Sequence, residues 1–217
     1  MADIFTEVDE AMKQERLEKL WQRYGGFFLG FLGIVVLGTA ANAGYKSWNI
    51  SRNTAQTTLF LNTIENPAHT PQDLLNLSPD LRSGLRSITE IQAAGLAYTN
   101  GNNDKALEIY QNLANNPAAD PAIRQLASYM TINLSQNLGT EEKRTKLNAM
   151  IRDSQNPWRY HALMDAALLE AVEAQDYKTA RTHLAEILKS DMAPKTLKQK
   201  AQSLDILYAL KEKIQNI

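Results

Sequence analysis

Between Arg23 and Lys46 the chain runs for twenty-two positions without an ionisable side chain, YGGFFLGFLGIVVLGTAANAGY, from Tyr24 to Tyr45. As a helix this stretch rises about 33 Å, against a hydrocarbon core of roughly 30 Å. Lipid offers no partners to backbone amides, so one apolar segment of this length is stable there only as a helix that satisfies its own hydrogen bonds. Trp21 and Tyr24 on one side, with Tyr45 and Trp48 on the other, fall where amphipathic rings prefer the headgroup layer. The spacing predicts a transmembrane helix over 24–45. A buried core helix would be shorter and would keep a polar face, whereas this one has only Thr39 and Asn42.

Ala41-Asn42-Ala43 has the small-x-small form of a signal-peptidase site. A cleaved signal normally starts short and basic. Here Asp3, Glu7, Asp9, Glu10, Glu15 and Glu18 outnumber Lys13, Arg16, Lys19 and Arg23. The pattern favours an uncleaved anchor, and cleavage after Ala43 is the alternative. Basic residues near a span set its orientation. Four precede it, while only Lys46 and Arg52 lie in the first twenty positions beyond it, so the amino terminus is expected in the cytoplasm and the remainder on the export side. A chain without cysteine is compatible with an oxidising compartment.

Six of the ten glycines lie within the span. Gly26 and Gly30, and again Ala40 and Gly44, repeat the four-residue spacing that lets membrane helices approach closely, either with a second copy or with another protein's span. Before the span, Ile4, Phe5, Val8, Met12, Leu17, Leu20 and Trp21 recur at helical spacing, giving a cytoplasmic amphipathic helix over 1–23. After it, 46–80 reads as a juxtamembrane helix and a connector punctuated by Asn66-Pro67, Thr70-Pro71 and Ser78-Pro79. A folded domain is expected over 81–217.

That domain shows no strand alternation, so the chain reads as all-α. Helices are expected over 82–99, 103–115, 121–137, 140–153, 157–174, 176–189 and 194–214, separated by short breaks such as Asn100-Gly101, Asp120-Pro121 and Ala193-Pro194. Brief links make consecutive helices antiparallel neighbours. Residues 93–117 contain Ala94, Gly101, Ala106, Tyr110 and Leu113, the small-residue and aromatic pattern of a tetratricopeptide hairpin. Residues 167–188 repeat it more loosely with Asp176, Tyr177, Ala180, Leu184 and Ile187, and Gln175 stands where the turn glycine would be. Ala106 and Ala180 are 74 positions apart, near two periods of the unit; the hairpin over 121–153 is the expected middle repeat. The last helix, with Leu197, Ala201, Leu204, Leu207 and Leu210 on one side and lysines elsewhere, reads as a solubilising cap. Among these lysines Tyr208 is the one aromatic ring, too few for base stacking, which argues against nucleic acid.

Nothing in the sequence supports catalysis, a cofactor or a bound metal. His69, His161 and His183 are scattered, there is no cysteine, and no phosphate-binding or nucleophile motif occurs. A repeat of this kind works through the surface formed by the first helix of each hairpin. In the clearest repeat the positions that would clamp a carboxylate fall near Ile91 and Gly95, neither of which can donate to one.

The charged amino-terminal helix, the span ending GYKSW, the repeat from Gly101 to Tyr110 and the closing DYKTARTHLAEILKSDMAPKTLKQKAQSL together resemble the bacterial ancillary SecYEG translocon subunits. The resemblance implies one inner-membrane span, a periplasmic tetratricopeptide-like domain, attachment to the SecYEG channel and cooperation with a membrane-anchored periplasmic chaperone. It carries over no catalytic residue. The alternatives are an envelope scaffold for cell division or outer-membrane assembly, and a soluble periplasmic protein released by cleavage.

Overall fold

The computed structural model describes residues 2–215, with side chains described except at positions 2–17, 19 and 25. Helix α1 spans Ala2–Glu65 and is followed by α2 (Pro71–Leu77), a short 3-10 turn (Ser78–Asp80), α3 (Ser83–Thr99) and α4 (Asn103–Ala114). Then come α5 (Pro121–Leu134), α6 (Thr140–Arg152), α7 (Arg159–Val172), α8 (Tyr177–Lys189) and α9 (Lys195–Gln215). No strand occurs among the described residues.

Two compact units divide the chain within α1, at Ala55 and Gln56. In the first, one stretch is long and apolar enough to cross a membrane, and the helix holding it is the only such helix among the described residues. Its side chains find no intramolecular cover: Phe27 is 81% exposed and Ile34 and Leu37 are each 71% exposed. From Ala2 on, the segments expected as 1–23, 24–45 and the start of 46–80 form one helical element, with no proline before Pro67 to break it. The apolar row Ile4, Phe5, Val8, Met12 and Leu17 lies outside the described side chains.

The second unit begins at Gln56, well before the expected start at residue 81. Phe60 and Ile64 pack against the core around Leu74, Ala93 and Ala97. Gln56 holds the chain at the entry to α3, its amide donating to Asp80 O (2.9 Å) and its carbonyl accepting from Arg82 N (3.2 Å). The stretch expected as connector is thereby built into the fold. Thr70 and Asp73 close a reciprocal cap over α2, and Leu74 is fully buried.

From α3 onward the helices follow the expected positions to within a few residues. Asp120 caps α5, its carboxylate accepting from Ala122 N (2.9 Å) and Ile123 N (3.3 Å). That helix stops at Leu134, three residues short of the expected end, where Ser135 turns extended and its hydroxyl donates back to Thr131 O. Three successive clusters form the core. One centres on α3 and α4, one on α5, α6 and one side of α7, and one on α7, α8 and α9. The middle segment is not a tight hairpin: α5 packs mainly on α4 and α6 mainly on α7, with only light contact between α5 and α6.

The tetratricopeptide-pattern residues lie in these cores and turns. Ala94, Ala106, Tyr110 and Leu113 are buried together, as are Ala180, Leu184 and Ile187 in their own cluster. Gly101 has φ +79°, which favours glycine, and Gln175 adopts φ +54° at the matching turn. Asp176 caps α8 through Thr179 N (2.9 Å) and Thr179 Oγ1 (2.7 Å), and the ring of Tyr177 lies 5.8 Å from that of Tyr208. The last helix departs from expectation: Leu197, Ala201 and Tyr208 face the core, while Leu207 and Leu210 point to solvent.

Candidate functional site

A groove of about 740 Å³ opens between α5, α7 and α9. Its walls are Tyr129 from α5, His161, Met164, Asp165 and Leu168 from α7, and Thr196, Gln199, Lys200, Ser203 and Leu204 from α9. Helical spacing brings His161, Asp165 and Leu168 to one side of α7. The register of α7 is set at its start, where Asn156 accepts from Trp158 N (2.9 Å) ahead of the first turn. Proline positions α5 and α9: Pro121 opens the first, and Lys198 N donates to Pro194 O (3.0 Å) at the second.

Tyr129 and His161 bring aromatic rings to the groove, and Trp158 packs against both. Tyr129 and Trp158 stack with centroids 6.2 Å apart and planes 9° from parallel, and His161 sits 5.3 Å from Trp158 and 6.1 Å from Tyr129. Trp158 Nε1 donates to Ala122 O (3.4 Å), fixing the indole against α5. His161 Nδ1 is buried without a hydrogen-bond partner among the described residues.

The polar centre is Asp165, which accepts from Asn133 Nδ2 (3.1 Å). Burial raises the Tyr129 phenol above its ordinary value, and the neighbouring Asp165 carboxylate raises it further, so the phenol stays neutral. Asp165 and Leu168 also line a second cavity of about 380 Å³, bounded by Leu147, Val172, Lys143 and Glu173. The wall behind it is stiffened by Arg144, whose Nε and Nη2 reach Glu170 at 2.6 and 2.9 Å and whose Nη1 meets Glu141. Glu170 is 5% exposed, and these bonds satisfy its two oxygens.

Such a surface is suited to holding a chain segment: apolar walls, stacked rings and one fixed carboxylate. Among the described residues no group of three His, Asp or Glu is placed to hold a metal. The clamp positions near Ile91 and Gly95 lie outside the groove, on α3. Tyr129, Trp158 and Asp165 lie outside the residues that carry the repeat pattern in the sequence. The available signal was the polar Asp165 at the place, 74 positions on, that Ile91 holds in the first repeat. Of the residues expected to form a helix-pairing face, Gly26, Gly30 and Gly44 have nothing beyond their own stretch of helix within 4 Å of where a Cβ would stand, and Ala40 is exposed. No protein family, curated protein or solved structure matches the chain.

Proposed function

We propose that this chain is a bacterial inner-membrane protein with its amino terminus in the cytoplasm, one span over 24–45, and a periplasmic tetratricopeptide-like domain that acts as a scaffold. Its partners in this reading are the SecYEG channel and a membrane-anchored periplasmic chaperone, and its task is the handling of newly exported proteins. The observation that carries the reading is the wholly exposed apolar face of α1 from Phe27 to Leu37, joined in one chain to a helical unit with an open groove. Water is a poor solvent for that stretch, and a bilayer covers it. The repeat likeness is supported by the buried alanine pairs at Ala106 and Ala180 and by the positive φ at both hairpin turns.

Tethering is the mechanism. A domain held within tens of ångströms of a channel meets its partners at millimolar effective concentration, so weak surfaces suffice. Photo-crosslinkers placed at Gly30 and Leu168 in cells test this. Capture of channel subunits or of a periplasmic chaperone supports the scaffold, and capture of cytosolic proteins alone overturns both orientation and function. Resistance to alkaline carbonate extraction is expected, and the mass of the mature chain distinguishes an anchor from a product cleaved after Ala43.

A further inference from the structure

Helix α9 has two apolar sides. Leu197, Ala201 and Tyr208 face the core. From Ile206 onward a second set points away from it: Ile206 is 59% exposed, Leu207 47%, Leu210 56% and Ile214 69%. At 100° per residue these four occupy an arc of roughly 100°, nearly opposite Ala201 and Tyr208, and they extend about 12 Å along the axis. Lys200 and Lys211 border one edge of the arc and Lys213 the other. Only two carboxylates belong to α9, and Arg181 engages both, Asp205 at 2.8 Å and Glu212 at 2.9 Å. Among the described residues no ion pair involves the three bordering lysines, so the outer face carries uncompensated positive charge around an aliphatic ridge.

We propose that this face of α9 rests on an anionic phospholipid bilayer. Ile206, Leu207, Leu210 and Ile214 enter the boundary between headgroups and acyl chains, and Lys200, Lys211 and Lys213 extend their stems to reach phosphates. Protein-binding surfaces centre on aromatic or arginine anchors and are depleted in lysine. The arc contains neither anchor type and is framed by lysine, the combination an anionic lipid surface attracts. Four aliphatic side chains give only marginal membrane affinity alone. The inference therefore rests on the reading of α1 as a span, which keeps a lipid surface within reach.

The absence of cysteine permits clean single-site labelling of the full chain. Val36→Cys, Leu210→Cys and, as a control at an exposed position of α4, Glu108→Cys would carry an environment-sensitive fluorophore in nanodiscs. The discs would hold phosphatidylcholine alone or mixed with phosphatidylglycerol. The Val36 label is expected to report lipid in both and the Glu108 label water in both. The Leu210 label is expected to shift blue and to be quenched by nitroxide-bearing lipid when phosphatidylglycerol is present, and to lose that signal at high salt. Replacing Lys200, Lys211 and Lys213 by Gln should weaken the contact roughly fivefold per lysine.

A Leu210 label that stays in water beside a lipid-embedded Val36 label overturns the inference and leaves the span intact. A Val36 label in water overturns the span. A Leu210 label that is buried in both lipids yet untouched by nitroxide lipid overturns the inference in favour of a protein contact on this face.

Discussion

Helices α3 and α4 meet through Ala93, Ala97 and Ala106; in α7 and α8, 74 positions later, Ala167, Ala171 and Ala180 take those places, all six between 0 and 4% exposed. Leu113 and Ile187 also correspond, at 1% and 0%. Elsewhere the hairpins diverge. Gly101 turns the first and Gln175 the second; Asn102 caps α4 and Asp176 caps α8. At the position of the half-buried Ile91 the second hairpin puts Asp165, and at that of Leu96 the buried Glu170. The seam between helices is held fixed by close approach, where any added volume is felt. Positions facing away from it are free to acquire polar groups, and in the later hairpin Asp165 comes to line the groove between α5, α7 and α9.

If the seams are the same packing unit, Leu113→Ala and Ile187→Ala should each cost about 3 kcal/mol, and the two losses should agree to within about 1 kcal/mol. Denaturation of the full chain in detergent, followed by far-ultraviolet circular dichroism, reads this, because micelles keep the apolar part of α1 helical throughout. A much larger loss in one hairpin would break the equivalence. Arg144→Ala probes a feature the first hairpin lacks. It strands Glu170 without its cation and should cost roughly 3 kcal/mol, with most of the loss recovered when Glu170→Met is added. A loss below about 1 kcal/mol would mean that water replaces the guanidinium.

The turns should respond with opposite signs. Gly101→Ala forces a side chain into φ +79° and should lose about 1 kcal/mol, whereas Gln175→Gly relieves the same conformation and should gain roughly half as much. Equal responses would show that Gln175 is held by contacts that repay its strain.

Helix positions in the second unit were legible because punctuation is local: Asp120-Pro121, Asn156-Pro157 and Ala193-Pro194 each announce a helix start from two residues. The groove was not, because Tyr129, Asp165 and Lys200 come from three helices and meet only after the hairpins stack. The outer arc of α9 was misread for a different reason. Leu197, Leu204, Leu207 and Leu210 fit one broad helical stripe, but the core contacts only the side of α9 that carries Leu197, Ala201 and Tyr208, and Leu207 and Leu210 turn away from it. The long apolar stretch of α1 needed no tertiary information, since its length and lack of charge are visible in the sequence itself.

The caps give the smallest and most specific contrast. The Thr179 hydroxyl and, next, the Thr179 N–H hold the Asp176 carboxyl below the usual carboxylate range. A carboxyl whose pKa is depressed by folding adds stability above its unfolded value of about 3.9, and that stability is lost as pH falls through the folded value. The group is open to solvent, so the charge is worth a few tenths of a kcal/mol on top of the cap itself. Asp176→Asn keeps a capping side chain and removes only the charge. Its melting temperature should lie slightly below that of the parent near neutral pH, and the gap should close as pH drops below about 4. Asn102→Asp should import the same pH dependence into α4, where Asn102 now accepts from Lys105 N at 3.1 Å without titrating. A gap between parent and Asp176→Asn that persists unchanged into acid would show that the carboxylate acts at this cap by shape alone.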